Sequence, residues 1–225
     1  MGDRVTFTAN GSRTDGYLAK PDGRGPGVVV IQEWWGLVPH IEQIADRLAG
    51  EGFVALAPDL YHGKTTTKAD EAGKMMMALR IDEAERDVAG AVDYLIAQPE
   101  VSPKKIGIVG FCMGGALALF AAAKNSKIDA CAVFYGGHPA VKPDLAALAA
   151  PVLGIYGGKD TFASPAVVKA LDDDLSRLGK RHEFHTYPGA DHAFFNDARP
   201  EVYDPAAAAD AWSRTLAFFT RELVE

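Results

Sequence analysis

The sequence predicts an α/β fold, a mostly parallel sheet with helices on both faces. Two observations predict it. From Gly27 onwards, short apolar runs alternate with amphipathic stretches of helical period, the order expected of a parallel sheet joined by right-handed crossovers. Several of the runs are continuously apolar rather than alternating, as in strands covered on both faces. The length of 225 residues suits one sheet-centred domain spanning the whole chain, 1–225.

Val5–Thr8 reads as a first strand and the run Gly27–Gln32 as the first fully buried one. The helix expected over His40–Glu51 carries Ile41, Ile44, Ala45 and Leu48 on one stripe, and Gly52 ends it in the left-handed manner glycine tolerates. Val54–Pro58 is the next strand. Asp82–Gln98, with Ala84, Val88, Ala91, Val92 and Leu95 on one face, is a long helix. Lys105–Gly110 is a strand, Met113–Lys124 a helix rich in Ala and Leu, and Ala130–Tyr135 and Val152–Gly157 are strands. Pro165–Leu178 is a helix with Ser164 as its cap and proline at its first position. His182–Tyr187 is the last strand and Pro205–Leu223 the closing helix. Met75–Met77 are expected in a buried helix. In such sheets the working residues sit on loops at the carboxyl ends of strands, so candidates for chemistry should fall there.

Apolar residues make up 48% of the chain, and its formal net charge is −7. That balance offers no basic patch to a nucleic acid or an anionic membrane. No apolar run approaches the roughly 20 residues of a membrane span. The expectation is a cytoplasmic monomer acting on a small molecule. Its two cysteines, Cys112 and Cys131, are too few for a disulfide scaffold and lack metal-ligand spacing. His182 and His185 are expected on one face of their strand, but no third ligand stands near them. Neither a metal nor another cofactor is expected.

Gly110-Phe111-Cys112-Met113-Gly114-Gly115 lies between an apolar strand and the Ala-rich helix. It matches the nucleophile-elbow pattern G-x-S-x-G, with Cys in the serine position. The glycines answer crowding, because the nucleophile occupies a strained turn where flanking side chains would collide with strand and helix. The turn lifts the thiol above the sheet, and the start of the helix favours its negative form. The N–H of Met113 becomes a ready oxyanion donor. The string lacks the G-x-G of a dinucleotide site and the Lys-Ser/Thr of a P-loop.

Two later loops supply partners. Gly157 runs into Gly158-Lys159-Asp160, and Tyr187 runs into Pro188-Gly189-Ala190-Asp191-His192. The order Cys112, Asp160, His192 is the nucleophile–acid–base order of α/β-hydrolases, and all three fall on post-strand loops. This makes the expected architecture an α/β-hydrolase fold. Asp191 is a rival acid, but a side chain adjacent in sequence cannot easily turn back onto the same ring. Gln32-Glu33-Trp34-Trp35-Gly36 follows the first core strand, where such enzymes place a second oxyanion donor. By position this is the N–H of Trp34, with Trp35 as the alternative. Glu33 calls for separate explanation, since a carboxylate facing the thiol opposes the thiolate.

Taken together, Gln32-Glu33-x-x-Gly36, Ala57-Pro58-Asp59-Leu60-Tyr61, Gly110–Gly115, Gly158-Lys159-Asp160 and Gly189–Phe194 resemble the dienelactone hydrolase (carboxymethylenebutenolidase) family over nearly the whole chain. The resemblance implies hydrolysis of a lactone or ester through an acyl-enzyme thioester on Cys112, with His192 as base and Asp160 as its partner. It implies that Glu33 partners the resting thiol until substrate displaces it. It also implies a two-arginine clamp for a substrate carboxylate. One clamp position falls on Asn196, which lacks the bidentate charge of a guanidinium. Lys64, Lys68 and Arg80 are possible stand-ins for the other. Trp35, Tyr135, Phe194 and Asn196 are the expected pocket residues. The alternatives are a small-ester or thioester hydrolase of other specificity, or a small-ligand binding protein on a hydrolase scaffold.

Overall fold

The computed structural model describes residues 1–9 and 11–225. Its centre is an eight-stranded sheet in which the strands lie, edge to edge, in the order 3–9 (β1), 12–19 (β2), 54–58 (β4), 25–31 (β3), 101–111 (β5), 130–134 (β6), 152–157 (β7) and 182–187 (β8). Strands β3 (Gly25–Ile31), β4 (Val54–Pro58), β5 (Val101–Phe111), β6 (Ala130–Phe134), β7 (Val152–Gly157) and β8 (His182–Tyr187) run parallel, as the continuous apolar runs of β3, β4, β6, β7 and the second half of β5 predict; β8, the outer strand, is only partly buried. Val28, Val29, Val30 and Ile31 are wholly buried.

The antiparallel edge is where the sequence says less. β1 (Asp3–Ala9) contains the expected Val5–Thr8, and β2 (Ser12–Ala19) pairs with both β1 and β4. β2 was not expected because its first half, Ser12-Arg13-Thr14-Asp15, is largely polar and exposed, with Thr14 alone turned inward.

The helices are α1 (Pro39–Gly50), α2 (Ala69–Ala78), α3 (Ile81–Ala97), α4 (Met113–Lys124), α5 (Pro165–Arg177) and α6 (Pro205–Phe219). They cover both faces. A Cβ on Gly27 would meet Ile106 and Leu95 of α3, whereas one on the adjacent-face residue Gly107 would meet Phe219 of α6. The Arg47 guanidinium lies 4.1 Å from the Trp212 ring, which places α1 beside α6. No helix among the described residues is long and apolar enough to cross a membrane.

Some local expectations change. Ser164 stands at the N-cap of α5 without a side-chain cap bond, while Asp204 caps α6 by accepting from the N–H groups of Ala206 and Ala207. The closing helix is regular only to Phe219, and Thr220–Val224 form a wider π turn. The Arg221 guanidinium binds Glu183 and Glu222, and the Lys105 ammonium donates to the Glu222 carbonyl, which pins this turn to the sheet. In α2 only Ala72 and Met76 are buried and Met77 is exposed, so the methionine helix is half-covered rather than internal.

His182 and His185 do not share a face, because residues three apart in a strand point oppositely. His182 Nε2 lies 3.0 Å from Asp172 on α5. His185 faces α6, where burial and then the Arg214 charge lower its pKa.

Candidate active site

β5 delivers its last residue, Phe111, to a sharp turn before α4 begins at Met113. Cys112 occupies that turn with φ 55° and ψ −121°, a conformation that costs a non-glycine residue on the order of 1–3 kcal/mol. The surroundings enforce it. The Cys112 N–H donates to the Phe134 carbonyl at 3.0 Å, and the Cys112 carbonyl accepts from the N–H of Gly137 at 3.2 Å. A Cβ on Gly110 would collide with the Gly114 carbonyl, and one on Gly114 with the carbonyl oxygens of Gln32 and Ile31. The glycine spacing is thus a packing requirement. Met113 opens α4, so its N–H is one of the first-turn donors a helix cannot satisfy internally.

Asp160 follows β7 and is buried. Its Oδ1 accepts from the N–H groups of Phe162 (2.6 Å) and Ala163 (2.9 Å), and its Oδ2 lies 2.7 Å from His192 Nδ1. The rival Asp191 is exposed. The His192 ring lies edge-on to Tyr135, at 5.1 Å, and 5.6 Å from Phe162. Burial works against the charged imidazole, but the bond to Asp160 and both the hydrogen bond and the charge of Cys112 outweigh it. The pKa is pushed up to about 10. Cys112 and His192 line the same cavity. The other thiol, Cys131, is wholly buried in β6, and desolvation pushes its pKa far up.

A cavity of about 40 Å³ opens on Cys112 and His192. Glu33, Trp34 and Trp35 line it from the loop after β3, Met76 from α2, and Phe162, Ala193 and Arg199 complete it. Beside it lies a larger cavity of about 570 Å³, which shares Trp35 and Arg199 with the first and adds Thr66, Thr67, His40 and Asn196. Trp34 and Trp35 touch edge to face with ring centroids 5.1 Å apart.

The structure thus gathers Cys112, Asp160, His192, Glu33, Trp34, Trp35 and Met113 at the carboxyl end of the sheet, and places other expected residues differently. Tyr135 and Phe194 are wholly buried behind the cavity, their rings 5.7 Å apart. Neither lines either cavity: the Tyr135 ring stands against His192, and Phe194 packs behind it on Tyr135 and Tyr187. Asn196 reaches the larger cavity with part of its surface, while its side-chain N–H donates to Glu33 Oε2 at 2.6 Å. Lys64 and Arg80 line a separate cavity of about 250 Å³. Lys68 pairs with Glu71 at the surface.

The cation that does reach the Cys112 cavity is Arg199, which sequence reasoning missed. Its guanidinium lies 5.7 Å from the Trp35 ring, and its Nε donates to the exposed Glu201 at 2.9 Å. It sits seven residues beyond His192 instead of four. The chain turns back after Asn196, whose carbonyl accepts the Arg199 N–H at 3.0 Å. Surveying every cation in the loop after β8 would have found it. Met76 belongs to the methionine run expected in a buried helix, and it reaches the site from the half-covered α2; Phe162 comes from the Asp160 loop itself, two residues past the carboxylate, where no motif marks it.

The family model described as the dienelactone hydrolase family matches residues 14–223. The chain belongs to the dienelactone hydrolase family. It is 41% identical over 230 residues to "Protein usf" of Aquifex pyrophilus, a match covering 99% of this chain and 100% of that protein. It is 38% identical over 226 residues to a protein of Aquifex aeolicus named "Putative carboxymethylenebutenolidase", covering 97% and 98% of the two chains. Among solved structures, a dienelactone hydrolase-like promiscuous phosphotriesterase from metagenomic libraries superposes with a TM-score of 0.88 at 29% identity, over 99% of this chain and 98% of that one. This dienelactone hydrolase family member is a carboxymethylenebutenolidase-like hydrolase with the α/β-hydrolase fold, and ester or lactone hydrolysis is the chemistry of its family.

Proposed function

We propose that this chain hydrolyses a small ester or lactone through a thioester formed on Cys112, with His192 as acid and base and Asp160 holding the imidazole. The observation that carries the reading is the His192 ring, fixed 2.7 Å from Asp160 Oδ2 through Nδ1 while its other side faces Cys112. Only the remaining ring nitrogen is then free to move a proton at the cavity.

The Cys112 thiolate adds to the substrate carbonyl carbon, and the carbonyl electrons move to oxygen. The N–H groups of Met113 and Trp34 receive that oxyanion. When the intermediate collapses, the C–O bond breaks and His192 protonates the departing alkoxide or enolate. His192 next takes a proton from water, the hydroxide adds to the thioester carbonyl, and the C–S bond breaks to return the thiolate. An amide would fare poorly, because its tetrahedral intermediate expels thiolate more readily than amine.

Cavity sizes bear on the substrate. The space of about 40 Å³ over the sulfur holds little beyond the reacting ester group. The remainder would extend into the neighbouring space of about 570 Å³, past Trp35 and Arg199. An ester or lactone with a flat or apolar body and an anionic group suits those walls.

The test is turnover of a panel comprising cis- and trans-dienelactone, p-nitrophenyl acetate and longer esters, a thioester and a phosphotriester, for wild type and Cys112→Ala. Carboxylic ester or lactone turnover should fall by several powers of ten in the variant. Near-full activity in Cys112→Ala would end the proposal.

A further inference from the structure

Glu33 takes no part in the steps above, yet it is 1% exposed and lines the same cavity as Cys112. A carboxylate free to turn onto the thiol would oppose its negative form, the more so in a site with little water. Here Glu33 is tied elsewhere. Asn196 Nδ2 donates to its Oε2 at 2.6 Å, and the Tyr135 hydroxyl lies 3.5 Å from its Oε1. Among the described residues no hydrogen bond joins Glu33 to Cys112, which shares its cavity with His192.

The hold is over-determined. Asn196 Oδ1 accepts the Ala198 N–H at 3.1 Å, so the amide must present its N–H groups to Glu33. The Asn196 N–H donates to the Ala193 carbonyl at 2.9 Å. Ala193 itself has φ 63°, which sets the turn that aims this segment inward. Asn196 is 2% exposed, and water does not compete for its amide. Burial and then the Glu33 charge keep the Tyr135 phenol protonated, so it remains a donor.

We infer that Asn196 is a positioning residue: its amide holds the Glu33 carboxyl off Cys112, so that the thiol rests against His192 and is competent before substrate arrives. This differs from the expectation that Glu33 partners the resting thiol until displaced. The inference rests on Cys112 and His192 being the reacting pair, as proposed above.

The experiment is alkylation of the substrate-free protein by iodoacetamide at pH 7, with the labelled cysteine identified by mass spectrometry. Asn196→Leu keeps the branched shape, in a somewhat larger side chain, and removes the donor. Its Cys112 alkylation rate should fall by about tenfold or more, and adding Glu33→Gln should restore it to within about threefold of wild type. Damage to packing would not be repaired by removing a charge, so the rescue separates positioning from a merely structural role. Should the leucine variant fail to fold by circular dichroism, Asn196→Ser, too short to reach Glu33, is measured the same way. A wild-type rate in the folded single variant, or a slow rate that Glu33→Gln fails to restore, overturns the inference. Alkylation needs no turnover, so failure of the hydrolytic reading would show separately, in the activity of Cys112→Ala.

Discussion

Asp160 reaches His192 with one oxygen because its other oxygen is already taken: Oδ1 accepts the N–H groups of Phe162 and Ala163, leaving Oδ2 2.7 Å from Nδ1. Asp160→Asn would keep an oxygen on those two N–H groups and turn its amide toward the imidazole. Nδ1 would then have to accept, which fixes the wrong tautomer. Ester turnover should fall by about three to four powers of ten with little change in fold. NMR titration should show the His192 pKa dropping from about 10 toward its ordinary value, since the bond to Asp160 is the leading influence raising it. An unchanged titration would remove Asp160 from the role.

The same pair gives stability a pH dependence. His192 titrates near about 6.5 in an unfolded chain and at about 10 in the fold. The folded state therefore binds the proton more tightly. The resulting stabilisation is complete below about pH 6.5, declines above it, and is lost as pH rises through about 10. In urea unfolding, the gap between wild type and Asp160→Asn should be widest near pH 6 and narrow by pH 10.5. A gap that widens with pH contradicts the raised value.

The parallel strands and the elbow were legible because each has a local signature. Val28–Ile31 admit no polar residue, and the elbow shows in its glycines, Gly110 set by a collision within its own turn and Gly114 by the carbonyl oxygens at the end of β3. Asp160 and His192 were legible from chain order and strand ends. The Asn196–Glu33 bond, the entry of Arg199 and the retreat of Tyr135 and Phe194 were not. The first two depend on how the loop after β8 folds back over the loop after β3, a relation between distant segments, and Tyr135 turns inward where its backbone takes φ 39° at the end of β6. β2 escaped for the opposite reason: half of it is solvent-facing edge, and its sequence reads as loop.

Gly114→Ala tests whether the elbow glycines are structural. The added methyl would strike the carbonyl oxygens of Ile31 and Gln32, which belong to the end of the central strand and cannot yield. A loss of about 2–3 kcal/mol or more is expected in denaturant unfolding. Gly23→Ala, where a Cβ would meet nothing within 4 Å, should stay within about 0.5 kcal/mol. Equal behaviour of the two variants would refute the packing account of the motif.

Arg199 is the group on which substrate choice should turn. It stands between the small cavity over Cys112 and the larger one beside it, and its ion pair with Glu201 is exposed enough to yield to a ligand. Arg199→Met keeps an unbranched chain against Trp35 and removes the charge. For an ester bearing a carboxylate, KM should rise about tenfold to a hundredfold, the worth of a hydrogen bond to a charged group. A neutral ester of the same size should change by less than about threefold, and added salt should weaken only the charged substrate. If both esters lose equally, Arg199 acts by packing on Trp35, and the anionic substrate class is wrong.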